Sequence, residues 1–299
     1  MTASALRTAS GELRAPWRVG IFGLAIVACA FAFLTVGLGI VSNTPIAGWA
    51  RAARVPLDQW FTAASLVVAT WTTGRLANDE QFKPWSYVGL GTTTWRGRPI
   101  AIAAAAGVAV MAVPSLLLVA VGAARLEPAV AADSGLVVAW AALVLLLPAA
   151  VSEELVFRGY LFSACVDGMG VRGAVVVTSV AFGLVHLANP DPSVASIAGV
   201  AVAGAFLAVV RLATGSLAAA VAAHFWINFT QTAFLHAPVS GLAFQTPGYR
   251  FVVTGPAWLT GGSWGPEAGV GAVLTFALAS FLYVRRSGNA RTSTPAATP

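Results

Sequence analysis

The sequence predicts an all-α, polytopic membrane protein with about eight transmembrane helices in one bundle. Composition is the first observation. Of 299 residues, 58% are hydrophobic and 9% charged, and mean hydropathy is +0.81. An ordinary soluble domain carries roughly 25% charged residues. The second observation is run length. Several apolar stretches reach about 18 residues or more, enough to cross a hydrocarbon core of about 30 Å. The third is that these stretches are apolar on every face, whereas a membrane barrel alternates lipid-facing and lumen-facing residues.

Taken in order, residues 1–16 are small and polar, with Arg7 and Arg14, and are expected to form a disordered tail. Residues 17–134 hold three helices and their loops. The first runs over 17–41 and stops near Asn43 and Pro45, and the second covers 57–76. The loop 77–98 is the most polar internal stretch, with Asp79, Glu80, Lys83, Arg96 and Arg98. Its Trp85, Tyr87 and Trp95 suit an interface that is apolar on one side and wet on the other. The third helix is expected over 99–122, with Pro99 in its first turn and Pro114 as a kink.

Asp133 or Ser134 can cap a fourth helix over 135–163. Gly168 and Gly170 are expected to break the chain before a fifth over 171–187, which Asn189 and Pro190 close. A sixth runs over 193–212, with Gly199 and Gly204 allowing close helix contact. The seventh covers 216–236, so 135–236 is one block of four helices. A loop rich in glycine and proline leads to the eighth, 266–284, so 237–284 forms the next block. A basic tail with Arg285, Arg286 and Arg291 fills 285–299 and is expected to be disordered.

An even number of spans puts both termini on one side, and that side then collects most of the lysines and arginines. This predicts cytoplasmic termini in the plasma membrane. The net charge of +6 does not indicate nucleic acid, because the basic residues lie between apolar runs and not on one stripe. The bilayer is the expected partner. Cys29 and Cys165 lie far apart, so neither a disulfide nor a cysteine metal cluster is expected.

Chemistry concentrates in the second half. Ser152-Glu153-Glu154-Leu155-Val156-Phe157-Arg158 follows an apolar run interrupted by Pro148. One charge at the centre of a membrane helix costs about 2.5–3.5 kcal/mol on insertion scales, so a chain accepts one only against a partner or a wet cavity. Glu154 and Arg158 are four apart, on one helix face, and can form an ion pair that lowers the cost of both charges. Glu153, about 100° round the helix, is left to face another element. Phe182-Gly183-Leu184-Val185-His186 and His224-Phe225-Trp226-Ile227-Asn228 follow on successive apolar segments. His224 and Asn228 again share a face.

A carboxylate, two imidazoles and a carboxamide suit acyl-transfer chemistry in either of two ways. A divalent metal such as Zn2+, held by His186, His224 and Glu153, can activate water. Alternatively no metal is needed: Glu153 and His186 polarise water, while His224 and Asn228 stabilise an oxyanion. His236, at a helix end beside Pro238, and Asp167 and Asp191, read as loop residues, are left out of the site. There is no His-Glu-x-x-His or Gly-x-Ser-x-Gly motif.

Glu-Glu-x-x-x-Arg, Phe-x-x-x-His and His-x-x-x-Asn, in that order on successive apolar segments, resemble the CPBP family. These are the CAAX prenyl endopeptidases and bacteriocin-processing proteins, also called the Abi family of intramembrane proteases. The resemblance covers roughly 136–232 and marks 135–236 as the catalytic core. It implies a peptide or prenylated-peptide substrate, with Glu153 activating water, His186 as its partner, and His224 and Asn228 completing the site. Two other classes remain in view. One is a transporter that uses the buried Glu and His side chains as an ion relay. The other is an inactive scaffold or immunity protein that keeps the motif for folding.

Overall fold

The computed structural model describes residues 5–8, 13–78, 82–129, 134–244 and 248–292; beyond Arg286 it describes backbone only. Asp79, Glu80 and Asp133, and part of each tail, lie outside the described residues. The chain is mostly helical. Four segments among the described residues are long and apolar enough to cross a membrane: Ala15–Ser42, Gly97–Ala120, Gly135–Ala188 and Val194–Thr214. With this composition the chain is a membrane protein.

Helix α1, Ala15–Phe31, continues through a π-helical turn, Ala32–Gly37, to Ser42. Helix α2 is Leu57–Leu76, as expected, and α3 is Gly97–Ala120 with Pro114 inside it. Ser134 caps α4, Gly135–Glu154, by accepting from the Val137 amide. A π-helical turn, Leu155–Tyr160, leads into α5, Leu161–Val185. The run Gly135–Ala188 has 54 residues. Straight, it would span about 80 Å, more than twice the hydrocarbon core. Its backbone leaves helical geometry at Gly159 and again at Gly170, where φ is 76°. Only the second break was expected, and Gly168 stays helical. Helix α6, Val194–Thr214, opens with a capping box between Ser193 and Ser196. Helix α7 is Leu217–Phe229 and α8 is Val270–Thr292, which extends beyond the expected end at 284.

Contacts group the chain into two compact units. The first comprises residues 1–96 and 133–178. In it α1 and α4 both pack on α2. Two indole N–H groups lock the assembly: Trp60 donates to the Val144 carbonyl at 2.9 Å, and Trp140 to that of Ala53 at 2.8 Å. Tyr160 is wholly buried, its ring 5.1 Å from Phe22. Asp167 is a helix residue of α5, not the loop residue expected. Its Oδ2 accepts from Arg18 at 2.8 Å and from the Tyr87 hydroxyl at 2.7 Å. Burial and this hydrogen bond hold the Tyr87 phenol far above its usual range.

The second unit comprises 97–132 and 179–299. Its core is built on Met111, Phe206, Leu207, Val210 and Phe276 from α3, α6 and α8. Helices α3 and α7 lie close together at Gly107, where a Cβ would lie 2.3 Å from the Ala223 carbonyl oxygen. Thr275 on α8 donates to the Val110 carbonyl at 2.9 Å. An antiparallel pair of strands, β1 (Ala124–Pro128) and β2 (Tyr249–Val253), sets Glu127 opposite Arg250. Both Arg125, at 2.7 Å, and Arg250, at 3.1 Å, bond Glu127 and lower its carboxyl pKa. The sequence reading placed no strands here, because each is five residues long and its partner lies more than a hundred residues away.

Gly107→Val puts methyl groups into the Ala223 backbone, and overpacking of this kind costs about 1–3 kcal/mol. The detergent-purified variant is expected to melt several degrees lower, as read by tryptophan fluorescence; an unchanged midpoint would mean that the two helices do not touch there.

Candidate functional site

The sequence-predicted site residues fall into two groups, one in each unit. In the first, α4 carries Pro148 and Ser152, both buried, ahead of the glutamates. Glu154 and Arg158 have no exposed area, and Arg158 Nη1 donates to Glu154 Oε1 at 3.0 Å. The guanidinium also lies 5.9 Å from the Phe157 ring centroid. The pair crosses from the end of α4 into the π-helical turn, a local form that recurs at functional sites. Glu153 is half-buried beside this sealed pair.

In the second unit, His186 opens a short 3-10 turn at the end of α5. Its Nδ1 lies 2.7 Å from the Phe182 carbonyl oxygen. A carbonyl can only accept, so Nδ1 carries the proton, and in the neutral ring Nε2 presents its lone pair. Such a backbone bond also fixes the tautomer of metal-ligating histidines. The Phe182 ring meets both imidazoles edge-on, with centroids 4.9 Å from His186 and 5.8 Å from His224. His224 is buried on α7, and Asn228 one turn on is half-buried. The structure thus gathers the two histidines around one phenyl ring. His236 ends the following π-helical turn, Thr230–Leu235, in left-handed geometry, with its ring against Tyr249.

The sequence reading overlooked Glu267. This carboxylate precedes α8 and is 5% exposed. Its Oε2 accepts from Gln231 Nε2 at 2.7 Å, and its Oε1 accepts from the Ser240 amide. Burial pushes its pKa up to about 7, against the opposing pull of those hydrogen bonds. The sequence reading put Glu267 in the first turn of the eighth helix, where an acidic residue is ordinary and offers no signal of a site. Only the company of Gln231, more than thirty residues upstream, marks it.

His186, His224 and Glu153 are chemically suited to a divalent metal. Yet no group of three or more His, Cys, Asp or Glu side chains among the described residues is disposed to hold one. Residues 135–230 match the family described as type II CAAX prenyl endopeptidase Rce1-like. That span contains all three motifs and bears out the resemblance read from them. No curated protein and no solved structure matches the chain.

Removing one partner of a buried ion pair strands the other charge, at about 3–5 kcal/mol. Arg158→Met and Glu154→Gln are each expected to lower the melting point sharply. The double variant should recover part of the loss, and strictly additive effects would mean the pair is not coupled in the membrane. Glu267 supplies a pH test. Between the ordinary value near 4.5 and about 7, the folded chain holds a proton that the unfolded chain has released. Its contribution to stability therefore falls as pH rises through that window. Melting points measured across the window should fall with pH, and Glu267→Gln should flatten the slope.

Proposed function

We propose that the chain is a membrane-embedded endopeptidase of the CAAX type, hydrolysing a peptide bond near the cytoplasmic face of the plasma membrane. The observation that carries this reading is the family match over 135–230, which spans every charged or imidazole group of the three motifs. Substrates are peptides or prenylated peptides, CAAX-like or bacteriocin-related, and both termini face the cytoplasm. A transporter is less favoured, since inverted halves would repeat the buried ionisable groups in the first half.

In this mechanism Glu153 is the general base. It takes a proton from water as the water oxygen attacks the scissile carbonyl carbon. His186 is its partner, with the Nε2 lone pair made available by the bond from Nδ1–H to Phe182. Negative charge gathers on the former carbonyl oxygen, which His224 and Asn228 stabilise by donating hydrogen bonds. The carbon–nitrogen bond breaks as the proton held by Glu153 passes to the departing amine. Glu154 and Arg158 touch no reacting atom and hold the turn that presents Glu153.

A second reading, with which the tautomer of His186 agrees equally well, makes its Nε2, His224 and Glu153 ligands of Zn2+ or another divalent ion, although no three such side chains among the described residues are gathered as a metal site. When bound, such an ion would supply Lewis-acid activation of the water.

Purified protein should cleave members of a peptide library offered with and without a prenylated cysteine near the C-terminus. Glu153→Gln should slow cleavage by about 10²–10⁴-fold, the usual contribution of general-base catalysis. His224→Ala should also abolish it. A chelator that stops cleavage, with recovery on adding zinc, would select the metal reading. Full activity in Glu153→Gln would reject both, and a folded, inert wild type would favour the scaffold.

A further inference from the structure

The buried carboxylate that this mechanism leaves unused sits at the centre of a clamp. Val239 and Leu242 exchange backbone hydrogen bonds at 2.9 and 2.8 Å, so Ser240 and Gly241 form a two-residue turn. Both have positive φ, 48° and 81°, the type I′ form. Gly241 is required there twice over, since a Cβ would lie 2.4 Å from the Pro190 carbonyl oxygen. Ser240, an L-residue in the left-handed region, is held from two sides. Its amide donates to Glu267, and its carbonyl accepts from Asn189 Nδ2 at 2.9 Å. Asn189 ends the 3-10 turn that His186 begins.

The other arm of the clamp runs to α7. Gln231 lies in the π-helical turn that follows Asn228, and its Nε2 donates both to Glu267 and to the Pro238 carbonyl at 3.0 Å. Glu267 is fixed in turn. Its carbonyl would meet a Cβ at Gly199 at 3.0 Å, and a Cβ at Gly265 would strike its Oε2. One side chain thus bonds the segment carrying His224 and Asn228, and through Ser240 the segment carrying His186.

We propose that Glu267 is a positioning residue for the peptidase site, setting the two histidine-bearing segments of the second unit in register through Gln231 and Ser240. The proposal rests on the endopeptidase reading for its kinetic consequence and on hydrogen bonding alone for its structural one. A carboxylate suits the place because both its oxygens face N–H donors. A carboxamide there would turn an N–H toward one of them, and Gln231 cannot flip without turning its own carbonyl toward that of Pro238. Catalytic geometry is sensitive to small shifts, about 10²-fold for a displacement of about 1 Å.

The experiment compares the full-length chain with Glu267→Gln, Gln231→Leu and the double variant, each checked for folding by size exclusion and thermal melting. Backbone hydrogen exchange is read first, because it needs no substrate. Both single variants are expected to lose protection at 237–241 and at 187–189, while α1 and α2 keep theirs. With a cleaved peptide, kcat should fall about tenfold or more with KM within about twofold. The double variant should be no slower than the worse single one, because both cut the same link. Unchanged exchange at 187–189 would overturn the proposal, as would kcat effects that multiply. An inert wild type with the expected exchange pattern would count against the peptidase reading and leave the clamp standing.

Discussion

A charge has no solvent inside a membrane, and the fold around the candidate site follows from that constraint. Glu154 and Arg158 meet it within one helix, at a spacing that brings them together as soon as the turn forms. Their attraction offsets part of the cost of burying both charges, and the surrounding side chains close over both completely. The neighbouring Glu153 is then the carboxylate left half-buried at that level of α4. The same economy recurs where Arg18, Asp167 and Tyr87 share one hydrogen-bonded group.

Where charge is absent, packing is carried by small residues. Lipid tails are as apolar as leucine side chains, so helices associate through close approach and occasional hydrogen bonds. Gly107 against Ala223 and the Thr275 hydroxyl on Val110 illustrate the two means. Both act between helices of the second unit, the first of them one residue away from His224.

Much of this was legible in the residues. Continuous apolar runs mark helices without ambiguity, and Ser134, Ser193 and Pro99 sit at or beside helix starts, as capping and steric rules require. The charged motifs were visible because ionisable residues are rare in such segments. Other features were not. Gly159 looks no different from the many glycines that stay helical, and the strands β1 and β2 are stabilised by each other rather than by local pattern. Asp167 passed for a loop residue because its neighbours are glycines, while its partners Arg18 and Tyr87 lie far away in sequence. Glu267 escaped for the same reason. Contacts between distant segments carry its meaning, and a window along the chain cannot see them.

The turn at Ser240 and Gly241 has a further consequence, for length rather than identity. Between Gln231 and Leu242 the backbone is fixed at both ends and at Pro238, and the tip is wedged against Pro190 with no room for a side chain. One residue more or fewer would turn the Ser240 amide away from its acceptor, whatever residue was added. This connection is thus constrained in length as tightly as in the residue at its tip. It acts as a ruler between α7 and α8 rather than a tether.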